Sequence, residues 1–179
     1  MLEKPTLLLH VCCAPCVTCP LELLNDKYNI TIYFYNPNTY PIDEYEKRLK
    51  ELKTFINDFY NEIEIIEGNY NPNDFYNSVQ GLEQLGEKSR MCYECYKLRL
   101  EKVAEKASGY DYFSTTLSIS PHKNAYWINE IGKELEKRCN VKYLYADFKK
   151  NDGYKKSIHL SKKYNLYRQD YCGCEFSKQ

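Results

Sequence analysis

Charge of either sign is not in excess in this sequence. Lys and Arg number 25 against 25 Asp and Glu over 179 residues, so net charge points to no class of partner. Long apolar runs are also missing. No stretch approaches the ~20 residues of a membrane span. The start, Met1-Leu2-Glu3-Lys4-Pro5, has neither the basic region nor the long apolar core of a secretory leader. The expectation is a cytoplasmic chain with no membrane attachment. Internal repeats and low-complexity linkers are lacking too, so a single domain over residues 1–179 is expected. A chain of this length buries about 70% of its unfolded surface, enough for a core without disulfide staples.

Cysteine, by contrast, is plentiful: there are nine. In a reducing compartment, clustered thiols mean metal or redox chemistry more often than structural disulfides. Seven of the nine fall into three groups, Cys12-Cys13-x-x-Cys16, Cys92-x-x-Cys95 and Cys172-Gly173-Cys174. Cys19 and Cys139 have no partner at a useful spacing and read as ordinary thiols. The nineteen tyrosines accompany abundant Asn, Lys and Ile, a bias of composition rather than a stacking platform.

The first cysteine group closes a short apolar run, Thr6-Leu7-Leu8-Leu9, that reads as a strand. Adjacent Cys12 and Cys13 would point to opposite sides if the strand continued, so a turn is needed to bring both to one site. A helix is expected from Pro20 to Lys27, then a strand from Ile30 to Tyr35 that stops at Asn36-Pro37-Asn38-Thr39-Tyr40-Pro41. Tyr45, Leu49, Leu52, Phe55, Ile56 and Phe59 recur at helical spacing. A third strand covers Glu62–Ile66, a short helix Pro72–Val79, and a stronger helix begins near Arg90. Asp111–Thr115 and Lys142–Tyr145 are further strands. Ser120-Pro121 has the signature of a helix start, and the last helix runs from Gly153 to Tyr164. Strands alternating with helices predict an α/β fold, Rossmann-like, with a mostly parallel five-stranded sheet covered by helices on both faces. Ligands of such sheets bind beyond the strand C-termini, where Cys12–Cys16, Asn36-Pro37-Asn38 and Ser114-Thr115-Thr116 all lie.

Cys92 and Cys95 are three apart on a predicted helix, hence on one face, and two thiolates so placed meet one metal. Zinc in a closed four-cysteine site and an iron–sulfur cluster both fit this chemistry. More thiols than four, gathered at the functional edge of a sheet, favour the cluster. His10, one strand period before Cys12, is a ligand or a supporting imidazole. The hydroxyls of Ser114, Thr115 and Thr116 ahead of a helix start form a candidate anion site.

Taken together, the motifs resemble one family: the non-cobalamin epoxyqueuosine reductases, the QueH type. They are His-x-Cys-Cys-Ala-Pro-Cys at 10–16, Tyr-Asn-Pro-Asn at 35–38, Arg-x-Cys-x-x-Cys-Tyr-x-x-Arg-Leu at 90–100, Ser-Thr-Thr-Leu-x-x-Ser-Pro at 114–121 and Arg-Gln-x-Tyr-Cys-Gly-Cys at 168–174. The resemblance runs in order over nearly the whole chain. It implies a HUP-like version of the fold, with the Cys-Gly-Cys tail folding back on the site. The implied activity is reductive deoxygenation of epoxyqueuosine to queuosine at the wobble position of tRNA. A [4Fe–4S] cluster and an additional iron are implied cofactors, and a low-potential electron donor of unidentified nature is an implied partner.

By the same resemblance, Cys12, Cys13, Cys92 and Cys95 are the leading metal ligands, with Cys16 beside them. Some members carry Asp where this chain has Cys16, so the division of ligands between cluster and iron stays open. Cys172 and Cys174 are ligands or a dithiol relay. Removing an epoxide oxygen takes two electrons and two protons, and Tyr35, Tyr96, Tyr171 and Asp170 are candidate donors. Asn36, Asn38, Ser114, Thr115, Thr116 and Arg168 are candidate substrate-binding groups, and Tyr93, Tyr96, Trp127 and Arg168 offer planar surfaces to a base. With no net charge to attract RNA, Lys155, Lys156, Lys162 and Lys163 on one helical face are the expected local track. Two other readings stand beside this one: a zinc-stabilised RNA-binding module without catalysis, and a metal-free dithiol oxidoreductase.

Overall fold

The computed structural model describes residues 3–178. Its centre is β1 (Thr6–His10), a strand with Leu7, Leu8 and Leu9 fully buried. β1 pairs with β2 (Asn29–Phe34) on one side and with β4 (Tyr112–Thr115) on the other. β3 (Glu64–Glu67) extends the first side and β5 (Lys142–Tyr143) the second. All four pairings are parallel and the order is β3-β2-β1-β4-β5. The chain builds β1 to β3 outward, then crosses back to β4 beside β1. That reversal opens a crevice at the C-terminal ends of β1 and β4.

Two apolar layers follow from the alternation of side chains along β1. Leu7 and Leu9 join Ile32 and Phe34 against α1 (Ala14–Leu24), α2 (Ile42–Phe59) and α6 (Gly153–Lys163). Leu8 joins Phe113 and Tyr143 against α4 (Arg90–Lys106) and α5 (Ala125–Cys139). A third, smaller cluster lies between α3 (Pro72–Ser78), α4 and the tail, with Phe75, Val79, Met91, Cys95 and Cys174. Among the described residues no helix is long and apolar enough to cross a membrane.

Three elements depart from the sequence expectation, each for a local reason. α1 starts at Ala14, not near Pro20, because Cys13 caps it: its sulfur accepts the Cys16 N–H at 3.2 Å, and Pro15 occupies the first turn. Pro20 then sits inside the helix, where it has no N–H to give a carbonyl one turn back. Ser120 does not cap α5. Thr116–Ile119 forms a 3-10 turn, Ser120 Oγ accepts from His122 N–H, and the cap is Asn124, whose Oδ1 accepts the Trp127 N–H at 3.2 Å. β5 is also shorter than Lys142–Tyr145, because only Tyr112 and Phe113 have partners opposite it.

Candidate metal centre

The turn after β1 brings its thiols together. Cys12, Cys13 and Cys16 place their sulfurs within 4.8 Å of one another, and Cys12 and Cys13 pack in the same apolar cluster. Cys13 and Cys16 are joined by a disulfide. A disulfide sulfur carries no thiolate, so these two serve as ligands only after the pair takes up two electrons. Cys12 is free and buried.

α4 supplies the second group. Ser89 caps it by accepting the Met91 N–H, which puts Cys92 and Cys95 in its first two turns. Both thiols are free. Burial pushes both above their ordinary value, Cys95 to about 12.

The tail supplies the third group, and its course depends on Arg48. This α2 side chain is buried, pairs with Glu44 at 2.7 Å, and donates to the carbonyls of Cys172 and Tyr171 at 3.2 and 3.3 Å. Tyr40 N–H donates to the Gly173 carbonyl at 2.8 Å. Gly173 has φ +121°, and a β-carbon there would lie 2.8 Å from Arg48 Nη1. Only glycine meets both conditions. The two tail thiols are free and differ in character. For Cys172 burial acts upward, but Lys123, Arg99 and Arg48 outweigh it and hold the thiol below its ordinary value. Burial and the neighbouring Cys172 push Cys174 up.

One cavity of about 720 Å3 joins these parts. Cys12, Cys16, Cys92 and Cys172 line it from three separate stretches of sequence. Tyr96, Arg168, Asp170 and Tyr171 form more of the wall, and Lys88, His122, Lys123 and Lys178 supply basic groups. Tyr96 is raised above the ordinary tyrosine range by burial and by the thiols Cys92, Cys172 and Cys95. Arg168 is held by Ser161, to which it donates at 3.1 Å, and lies over the Tyr154 ring.

Other candidate residues do not reach this cavity wall. The Tyr35 ring is buried against Tyr33, and its hydroxyl donates to Asp74 at 2.9 Å. Asn36 Nδ2 donates to the Val11 carbonyl, and Asn38 is buried. Ser114 Oγ donates to the Leu144 carbonyl, while Thr115 and Thr116 are buried beneath the site. Asn36, Ser114 and Thr115 thus tie strand ends, whereas Asn38 Oδ1 and Thr116 Oγ1 are buried without a partner. Tyr93 and Trp127 pack edge to face against each other at 5.7 Å.

His10 is settled by its two partners. Its Nε2 lies 2.9 Å from the Tyr35 carbonyl, which can only accept, so Nε2 carries the proton. Nδ1 then accepts from Thr115 Oγ1 at 2.9 Å. Burial first, and Arg99 second, lower its pKa to about 3. A neutral ring with both nitrogens engaged is a support, not a ligand.

Arg48, Lys123 and Arg99 had no role in the sequence reading. Arg99 carried a signal there: it follows Cys95 by one helical turn and so shares its face.

A thiol-lined crevice at the switch point of a parallel sheet, with a lowered and a raised thiol in one tail, defines an α/β oxidoreductase with a metal-capable donor set. A family model described as "Epoxyqueuosine reductase QueH" matches residues 7–179. Relatives of that name are 46% identical in Staphylococcus epidermidis, over 98% of this chain and 77% of theirs, and 43% identical in Streptococcus pyogenes, over 97% and 71%. A Thermotoga maritima relative of that name is 38% identical over 96% of this chain and 90% of its own. This chain belongs to the epoxyqueuosine reductase QueH family. Its fold is also that of a Methanocaldococcus jannaschii protein described as a "predicted subunit of tRNA methyltransferase". That match has a TM-score of 0.56 and 17% identity, over 87% of this chain and 74% of the other.

Proposed function

We propose that this protein reduces epoxyqueuosine to queuosine at the wobble position of tRNA, removing the epoxide oxygen with two electrons and two protons. The observation that carries the reading is the single cavity shared by Cys12, Cys92 and Cys172, residues that only the fold brings together. A sulfur donor set, once Cys13 and Cys16 are reduced, beside a buried guanidinium whose Nη2 has no partner, that of Arg99, suits an anionic iron–sulfur cluster. Cys12, Cys13, Cys92 and Cys95 would hold a [4Fe–4S] cluster, and Cys16 beside them would be available to an additional iron once its disulfide with Cys13 is reduced. When bound, these groups supply electrons singly and a Lewis acid for the epoxide oxygen.

The chain's own residues would do the rest. The basic rim of Lys88, Lys123 and Arg168 receives the phosphates flanking a nucleotide turned into the cavity. Tyr96 and Asp170, at the wall, are the candidate proton donors. Tyr35, whose hydroxyl is given to Asp74 and not to the cavity, would support the site and not donate the proton itself. Cys172, favoured as thiolate, and Cys174, favoured as thiol, would form a dithiol relay that gives up one electron per sulfur as an S–S bond closes between them. Oxidation of that pair to a disulfide yields the two electrons that one turnover consumes. A low-potential donor outside the chain then restores the dithiol.

Anaerobic protein should contain at least four irons with matching sulfide and convert epoxyqueuosine-bearing tRNA. Cys92→Ala or Cys95→Ala should lose iron and activity together. Stoichiometric zinc without iron, and no turnover, would sink the reading in favour of a zinc-stabilised RNA-binding module.

A further inference from the structure

Two arginines lie fully inside this molecule, Arg48 and Arg99, each 2% exposed. They are treated very differently. Arg48 has Glu44 as counter-charge and two tail carbonyls as acceptors. Arg99 has one long contact, Nε to the Cys95 carbonyl at 3.4 Å, and its Nη2 has no partner. Among the described residues no carboxylate pairs with it. Guanidinium does not shed its proton in proteins, so this is a permanent buried charge without compensation. Such charges are strongly unfavourable unless something opposite fills the gap. After burial itself, the groups whose charge acts most on this guanidinium are thiols, Cys95, Cys172 and Cys12.

We propose that Arg99 is the counter-charge of the metal centre: from α4, its free Nη2 donates to the anionic cluster–thiolate assembly and raises the cluster's reduction potential. The inference rests on the iron–sulfur reading of this site. A [4Fe–4S] cluster with four thiolates is a net anion, and each electron passed to it from the reduced tail pair, itself restored by the outside donor, adds one negative charge. A fixed cation beside it stabilises the reduced form more than the oxidised form. Net charge and hydrogen bonds to sulfur are the established means of tuning such potentials. Arg99 takes up no proton in the step and touches no substrate. It is a positioning and tuning residue, and it makes electron loading of the site more favourable.

The test compares wild-type holoprotein with Arg99→Met and Arg99→Lys, all assembled anaerobically and titrated with reductant while the reduced cluster is followed by electron paramagnetic resonance. At the wild-type midpoint, Arg99→Met should show a reduced-to-oxidised ratio lower by roughly tenfold, the scale of one hydrogen bond to a charged group. Arg99→Lys should fall between. Full iron content with an unmoved potential in Arg99→Met overturns the proposal. A second measurement uses metal-free, reduced protein, where the proposal leaves Arg99 uncompensated. There Arg99→Met should melt at or above the wild-type temperature. A lower melting temperature, or failure to fold, would make Arg99 a structural prop and overturn the proposal. A variant that folds without metal but loads no cluster, while Arg99→Lys loads, supports the charge role. Wild-type protein without iron or sulfide refutes the reading of the site itself, whereas normal loading with an unmoved potential refutes this inference alone.

Discussion

Single residues decide how the tail meets the site, and Gly173 is the clearest case. Its positive φ costs a β-carbon-bearing residue about 1–2 kcal/mol. The 2.8 Å approach of Arg48 adds a clash that the salt-bridged guanidinium is not free to relieve. Gly173→Ala should therefore lower stability by at least about 1 kcal/mol and release the tail, measured as urea unfolding and as faster alkylation of Cys174. Unchanged reactivity at Cys174 would show that the tail's course does not depend on this glycine. Cys172 offers a pH test. Burial opposes its ionisation, yet Lys123 leads the charges that overcome it. In metal-free, reduced protein the alkylation rate of Cys172 should rise with pH through an inflection below the ordinary 9.0. Lys123→Gln should move that inflection upward. Because the folded value is depressed, the thiolate adds stability that is present above the unfolded value and is lost as pH falls through the folded one.

Elements carry the next layer. α4 delivers two thiols and Arg99 on one face because all three obey a three- and four-residue spacing, and Ser89 fixes where the helix starts. α5 shows how a strong local signature can be displaced. Ser120-Pro121 reads as a cap and first turn, but the chain spends that serine on a turn closing at His122. The helix waits for Asn124, which is free to accept from Trp127 N–H. Asn124→Ala should cost about 1 kcal/mol, as for other lost N-caps, whereas Ser120→Ala should cost less than half as much. Equal effects in chemical unfolding would restore Ser120 as the effective cap.

The molecule as a whole divides the α6 lysines. Lys155 is tied to Asp152 at 3.1 Å and Lys156 to Glu22 at 2.6 Å, while Lys162 and Lys163 are exposed without an acidic partner among the described residues. Tyr154 and Ser157 of the same helix line the cavity. Reversing Lys162 and Lys163 should weaken tRNA binding and lower its salt slope by about one unit for each lost phosphate contact, with iron content unchanged. Reversing Lys155 and Lys156 should do less. Affinity and salt dependence untouched by all four would make α6 merely a solvated face. The sequence by itself determined the alternation of strands and helices, because apolar periodicity is local. It also marked the three thiol groups as one chemical set, since nothing in core packing needs cysteines at those spacings. Only the tertiary structure decided the rest. It closed Cys13 onto Cys16, used Ser114, Thr115 and Asn36 to tie strand ends, engaged both nitrogens of His10, and left Arg99 without a partner. Those outcomes depend on which groups meet across strands and helices far apart in the chain, and no local pattern encodes such a meeting.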